Sequence, residues 1–293
     1  MPYRLVKSLF GTSNKNVICK VDLPYDVNDF CFIPNFGYLL ALRDNHCISR
    51  IDTDGKLTIS WLGELNKEGY EDGNSHFARL SYPSSICFSL QSKKAFVIES
   101  GGASVRSFDI DTAYITSLLG TPVISRLEKG VSKLPLKDIN TFCCVDQRQQ
   151  IFWTIDKTNK CYKFYQGDVT NILGNGKATY SVSSDVSKSS LNKPSGIAMI
   201  GDNIYVADTE NHCIRELSKK AIRLFYGTPM EVNLVNTPSY LKYVNGLFYF
   251  LDGLDVKYYS LSGLGNGILY TGNNIVAIDT DGKDLLILER EDA

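Results

Sequence analysis

Long hydrophobic runs are missing from this 293-residue chain. The longest, such as Tyr38 to Leu42 and Leu285 to Leu288, have the length of a strand, far short of the roughly 20 apolar residues of a membrane-spanning helix. No membrane contact is expected. An excess of charge is missing too: 31 basic residues face 32 acidic ones and leave a formal net charge of −1. That balance disfavours a strongly basic nucleic-acid binder and leaves only a one-sided patch open. Histidine is scarce, with His46, His76 and His212 alone. No Cys-x-x-Cys pair and no Gly-x-Ser-x-Gly elbow occurs, and Gly174-Asn175-Gly176-Lys177 lacks the further glycine and the helix of a phosphate loop. No stretch reads as an amphipathic helix longer than a turn or two. Ile124 to Asp138 comes nearest, and its Gly130, Pro135 and charge argue for a loop. The N-terminal Met1 to Gly11 sets Arg4 and Lys7 inside its one apolar stretch and lacks the pattern of a signal peptide, so a cytoplasmic protein is expected. A hydrophobic fraction of 43% is enough to bury a sizeable core, which excludes a disordered chain.

What is present is repetition. The clearest unit runs from Pro194 through Tyr205-Val206-Ala207-Asp208 and Asn211-His212-Cys213-Ile214 to Gly227-Thr228-Pro229. Asn45-His46-Cys47-Ile48 repeats its centre letter for letter, and Gly120-Thr121-Pro122 repeats its close. Further copies pass through Phe96 to Glu99, Trp153 to Asp156 and Tyr249 to Asp252, and a fragment from Asn273 to Glu289 supplies only two strands. Leu9-Phe10-Gly11-Thr12 resembles Phe225 to Thr228, so residues 3–10 are expected to form the outer strand of that last unit. Short alternating runs bounded by Gly, Asn and Asp describe antiparallel strands. Six units whose chain ends share one unit describe an all-β, six-bladed β-propeller in one domain, residues 1–293, closed by the N-terminal strand joining the C-terminal blade.

Reading down the copies gives columns. Phe30, Ile86, Phe142, Ile197 and Val276 are followed by Cys31, Cys87, Cys143, Ala198 and Ala277, small residues that suit crowded inner strands. Cys47, Cys161 and Cys213 make a second column on the third strand. Equivalent positions lie in different blades, so most of the eight cysteines read as buried thiols rather than a disulfide framework, with Cys19 and Cys144 outside both columns. Glu99, Asp156, Asp208, Asp252 and Glu289 close the second strands, with Leu42 the exception. Each carboxylate is expected to cap its turn by accepting from the N–H two residues on.

Asn211-His212 and Asn45-His46 resemble the core of an NHL repeat, with cysteine in place of the leucine that completes the family's name. Asp72-Gly73 through Ala78, Leu80 and Pro83 resembles the lead-in that precedes many of these blades. The units that match span nearly the whole chain. The resemblance implies a six-bladed propeller and leaves function open, since the family holds protein-binding and RNA-binding modules, scaffolds and a few lyases. A lyase of this kind would need channel histidines, and His46 and His212 share one position in different blades. A lactonase-type metal site would need acids on the inner strands, where Cys or Ala stands. Neither metal nor cofactor is expected.

Three inter-blade links are long, Glu64 to Tyr82, Val123 to Lys137 and Asn175 to Lys193, and in a propeller they share a face with the acidic column. Long loops on a rigid scaffold commonly carry binding. A non-enzymatic interaction or scaffold module, one subunit of a larger assembly, is therefore expected to hold a protein partner through Tyr70, Asp72, His76, Arg79, Glu99, Asp156 and Asp208. A small-molecule ligand is not expected. The alternatives are a single-stranded RNA-binding propeller, using Lys93, Lys94, Arg79, Arg106, Lys188, Lys193, Lys219 and Lys220, and a metal-dependent hydrolase or lyase.

Overall fold

Alternation at a two-residue period places one set of side chains on each face of a strand. The computed structural model describes residues 2–8, 15–101, 104–119, 141–219, 221–262 and 265–291, with the backbone alone at 8, 15 and 141–144, and this pattern becomes 24 strands. The chain opens with β1 (Pro2–Ser8) and β2 (Lys15–Asp22). The first blade is β3 (Asp29–Ile33), β4 (Gly37–Leu42), β5 (Cys47–Ile51) and β6 (Leu57–Leu62). The second is β7 (Pro83–Ser89), β8 (Lys94–Glu99), β9 (Ser104–Asp109) and β10 (Ile115–Leu119). The third is β11 (Thr141–Val145), β12 (Ile151–Ile155), β13 (Lys160–Tyr165) and β14 (Asp168–Leu173). The fourth is β15 (Pro194–Ile200), β16 (Asn203–Asp208), β17 (Cys213–Leu217) and β18 (Ile222–Gly227). The fifth is β19 (Pro238–Val244), β20 (Leu247–Asp252), β21 (Asp255–Ser260) and β22 (Asn266–Thr271), and the sixth begins with β23 (Ile275–Thr280) and β24 (Leu285–Arg290).

Every sheet has four strands in chain order except the last, which runs β23, β24, β1, β2. This is the six-bladed β-propeller read from the repeats. The N-terminal strand does join the final blade, in register from Tyr3 opposite Arg290 to Ser8 opposite Leu285. It is not the outer strand, however. Tyr3, Leu5 and Val6 are buried, and β2 covers β1 as the outer edge, where Val17 and Ile18 are exposed. The match at Leu9 to Thr12 that suggested this closure lies outside the described residues, as do Gly120 to Pro122 and the link Val123 to Lys137. Among the described residues no helix is long and apolar enough to cross a membrane.

The chain divides into two compact units, one of Leu23–Ile151 with Phe164–Val169, the other of Met1–Asp22 with Phe152–Lys163 and Thr170–Ala293. In the first, Cys31, Leu39 and Ile48 pack with Leu80, Ile86 and Val97, so facing blades share one core. In the second, Ala198, Tyr205 and Ile214 pack with Leu241, Phe248 and Phe250. Cys31 and Ala198 sit within these cores, where a larger side chain would overpack. The cysteines whose side chains are described, Cys19, Cys31, Cys47, Cys87, Cys161 and Cys213, form no disulfide. Burial pushes the Cys47 thiol up to about 11 and the Cys213 thiol up to about 12, so both stay protonated and inert.

The third blade departs from the alignment by one residue. His46 and His212 adopt left-handed backbones, φ 57° and 56°, and donate their N–H to the carbonyls of Arg43 and Thr209. In the third blade Asn159 does this, at φ 54° and bonded to Asp156 O. Gly174 confirms the correspondence: a Cβ there would strike Asn159 O, as one on Gly227 would strike His212 O. Asp156 therefore matches Thr209 rather than Asp208, and Cys161 matches Ile214 rather than Cys213. The turn keeps its four-residue length, so β12 ends on Ile155 where β4, β8, β16 and β20 end on Leu42 or an acid, a one-residue shift that composition alone hides.

Candidate functional site

Arg106 organises the link that precedes the second blade. It lies on β9 opposite Val97, and its side chain is 0% exposed. Its guanidinium meets Glu99 Oε1 at 3.3 Å and Asp72 Oδ1 at 2.8 Å. The same group donates to the carbonyls of Arg79 at 2.6 Å and Glu71 at 2.7 Å. A planar fork of five donors can hold so many oxygens at once, which a lysine could not. Asp72 is held from its other side by Ser117, whose N–H and hydroxyl each donate at 2.9 Å. Glu99 accepts from the Ser81 N–H at 3.2 Å and from Ser104 Oγ at 2.5 Å. Burial pushes the Glu99 carboxyl up, and Arg106 and Ser104 oppose that shift.

The acidic column follows the same plan in other blades. Asp208 accepts from the Asn192 N–H at 2.7 Å and pairs with buried Arg215 at 3.2 Å. Asp252 accepts from the N–H groups of Asn236 and Thr237 and pairs with Lys257 at 2.5 Å. Glu289 accepts from the Asn273 N–H at 3.1 Å and pairs with Arg4. Each of these carboxylates thus clamps the chain just ahead of its own first strand, rather than capping the following turn as expected. Strand pairing explains it: the end of the second strand lies beside the start of the first, as Pro194 opposite Asp208 shows. Asp156, one place beyond the end of the second strand, accepts locally, from the Lys157 N–H at 2.6 Å. In the first blade Leu42 replaces the acid and Ser49, opposite Leu40, replaces the cation, so both partners of the pair change together.

The asparagine–histidine pairs join consecutive blades. His46 Nδ1 accepts from the Tyr82 N–H at 3.3 Å, and its ring meets the Tyr82 ring edge-on with centroids 4.4 Å apart. Asn159 Oδ1 accepts from the Lys193 N–H at 2.8 Å, doing with an amide what His46 does with an imidazole. His212 Nδ1 contacts Asn236 O. Asn211 receives the Met230 N–H at 3.0 Å on its carbonyl and donates its side-chain amide to Thr179 O at 3.1 Å, which ties loop 228–237 to loop 175–193.

The structure therefore brings Tyr70, Asp72, Arg79 and Glu99 together around Arg106. Tyr70 OH lies 3.1 Å from Ser81 Oγ, and Arg79 pairs with Glu64. Glu99 and Asp208 are buried and act as supports rather than as contact residues. His76 stands on the exposed crest of the loop beside Phe77, which is 71% exposed. Sequence reasoning missed Phe77 and the organising part of Arg106. The spacing of seven from Glu99 to Arg106 and from Asp208 to Arg215 was the available signal. The basic residues of the RNA-binding alternative have acidic partners at several positions: Lys188 with Asp185, Lys193 with Glu210, Lys219 with Asp202. Among the described residues no group of three His, Cys, Asp or Glu side chains could hold a metal ion.

Comparison with known proteins agrees with this architecture. The profile of the NHL repeat matches residues 191–217. The chain is 42% identical over 196 residues to NHL repeat-containing protein 2 of Bos taurus, an overlap of 61% of this chain and 27% of that protein. It is 28% identical over 208 residues to the chloroplastic protein SUPPRESSOR OF QUENCHING 1 of Arabidopsis thaliana, covering 66% of this chain and 19% of that one. The chain thus spans about a quarter or less of the length of these relatives. Among solved structures, a chain of a nidogen–laminin complex superposes with a TM-score of 0.62 at 11% identity, covering 98% of both chains. A virginiamycin B lyase of Staphylococcus aureus gives 0.57 at 13% identity, covering 98% of this chain and 88% of that one. At such identities the likeness is one of fold.

Proposed function

We propose that this NHL-repeat β-propeller is a non-enzymatic interaction module that holds a protein partner on its inter-blade loops, as one part of a larger assembly. The observation that carries the reading is the loop from Glu64 to Tyr82, which lifts Phe77 and His76 into solvent while buried Arg106 fixes its backbone from beneath. A loop ordered in advance loses little entropy on binding. An exposed aromatic on such a support has the character of an interface anchor. The other unit repeats the device. Met230, Val232, Leu234 and Val182 are exposed on loops 228–237 and 175–193, which Asn211 ties together. The longer relatives and the propeller chain of the nidogen–laminin complex fit a module within an assembly. Described cysteines that form no disulfide fit a reducing compartment, for which we propose the cytoplasm.

The test is affinity purification of the tagged chain from its native source, followed by the same experiment with Phe77→Ser combined with His76→Ala. The protein that co-purifies with the unchanged chain is expected to fall at least tenfold, while Leu90→Ser, an equally exposed change in the turn after β7, leaves it in place. Equal recovery by all three chains sinks the assignment. A stoichiometric metal in the purified protein would move the reading to a hydrolase or lyase.

A further inference from the structure

The turn Gly174-Asn175-Gly176-Lys177 lies over the side chain of Lys160, within one unit: a Cβ on Gly176 would stand 3.5 Å from Lys160 Cε and 3.7 Å from Thr158 O. Lys157, Lys160 and Lys177 thus gather about one turn, Lys157 and Lys177 exposed and Lys160 half-buried. Among the described residues no carboxylate pairs with any of the three. The acids close by are engaged elsewhere. Asp185 meets Lys188 and Glu210 meets Lys193, each at 3.3 Å, and Asp156 accepts from the Lys157 N–H at 2.6 Å. Three ammonium groups against one such aspartate leave a net positive field over the turn. Hydrogen bonds lead from this turn to exposed apolar side chains. Asn175 Nδ2 donates to Ser190 Oγ at 3.3 Å, Ser190 Oγ lies 2.6 Å from Ser181 Oγ, and the next residue, Val182, is exposed. Asn211, which receives the Met230 N–H and donates to Thr179 O, brings exposed Met230 alongside. Glu231, accepting from Asn233 Nδ2 at 2.8 Å, marks the edge of the positive field.

We infer that this surface docks an acidic segment of a protein partner, its carboxylates on Lys157, Lys160 and Lys177 and its apolar side chains on Val182 and Met230. The inference rests on the reading that the inter-blade loops hold a protein, and adds the chemistry of what they hold. Clustered ammonium groups repel one another, and a carboxylate arriving between them relieves that repulsion. Complementarity of this kind steers encounter and selects the partner by the sign of its charge. A protein segment fits this surface better than RNA, because the apolar groups are aliphatic. Tyr180, the one aromatic of loops 175–193 and 228–237, gives a face to the Arg215 guanidinium at 4.3 Å, so these loops lack the stacking platform on which single strands are held. No sequence motif marks the site, because Lys157 and Lys160 join Lys177 only once β13 and loop 175–193 pack together.

The test is fluorescence anisotropy of the purified chain with labelled synthetic peptides of one length, alternating glutamate, glutamine or lysine with leucine, and with labelled oligouridine. The glutamate–leucine peptide is expected to bind at least tenfold tighter than the glutamine and lysine versions, and to weaken as salt is raised. Lys157→Gln, Lys160→Gln and Lys177→Gln together are expected to weaken it at least tenfold with an unchanged melting temperature, and Val182→Ser with Met230→Ser at least threefold. Equal binding of the peptides, binding that survives the triple substitution, or oligouridine held more tightly than the glutamate–leucine peptide overturns the inference. Peptide binding and partner capture are read separately. A chain that keeps its partner in affinity purification but ignores the glutamate–leucine peptide overturns this inference alone, whereas a peptide that binds as expected while partner recovery is indifferent to the Phe77 and His76 substitutions sinks the assignment to loop 64–82 alone.

Discussion

Arg106 and Arg215 occupy the same position in the second and fourth blades, both fully buried and each paired with the acid seven residues before it. What they hold differs. Arg106 meets a second carboxylate, Asp72, and two loop carbonyls. Arg215 meets one loop carbonyl, that of Ser181 at 3.2 Å, and lies under the Tyr180 ring at 4.3 Å. The Nε of each has no partner among the described residues. The repeat therefore dictates the acid–arginine pair, while the loop that the pair grips is particular to its blade. The blade scaffold and the surface it presents are coupled through one side chain.

Removing the shared element has the largest expected effect. Arg106→Ala leaves Glu99 buried without its cation and is expected to cost about 3–5 kcal/mol in urea unfolding. It should also expose loop 64–82 to proteases. Arg215→Ala is expected to cost less, because Asp208 keeps its bonds from Asn192 and Asn211 and no second carboxylate is orphaned. Equal costs would break the comparison, showing that Asp72 adds nothing.

A pH series sharpens it. Burial pushes the Asp208 carboxyl up to about 6 against the pull of the Asn192 N–H, Asn211 and Arg215. The folded value lies above the unfolded one, near 3.8, so the folded state holds this proton more tightly. The contribution to stability is thus complete below about pH 4 and lost as pH rises through 6. Relative to Asp208→Asn, the unchanged chain is expected to gain about 1–3 kcal/mol between pH 7 and pH 4, measured by denaturant unfolding at both ends. A flat difference across that window would show that Arg215 keeps the carboxylate ionised throughout.

The smallest effect concerns the joints between blades. His46→Ala loses an acceptor for the Tyr82 N–H and places alanine at a left-handed backbone, an expected cost of about 1–2 kcal/mol. His46→Asn, which copies the joint that Asn159 makes in the third blade, is expected to stay within about 0.5 kcal/mol of the original, since asparagine tolerates that backbone and offers Oδ1. If the two variants unfold at the same urea concentration, the joint rests on backbone geometry alone.

Much of this was legible because the repeat is written in the chain six times over. Strand positions, the small inner column and the acidic column follow from period-two patterning and from turn residues. The role of the acids did not follow, because the N–H groups they accept lie 15 to 18 residues earlier, beside them only once the first two strands pair. The one-residue slip at Asp156 was hidden since Asp156 and Cys161 imitate a column they do not occupy. Of the candidate site, Tyr70, Asp72, His76 and Arg79 were correctly grouped on one loop by their nearness in sequence. Which of them face solvent was not readable, since that depends on the direction from which Arg106 arrives.

By itself, then, the sequence determined the propeller, its six units and the sharing of the last blade by both chain ends, because each is a matter of local pattern repeated. Only the tertiary structure decided which polar residues are supports and which are surface. A buried charge must find its partner at whatever sequence distance the strands bring one near, and Glu99, Arg106 and Asp72 meet only after loop 64–82 has folded over the second blade.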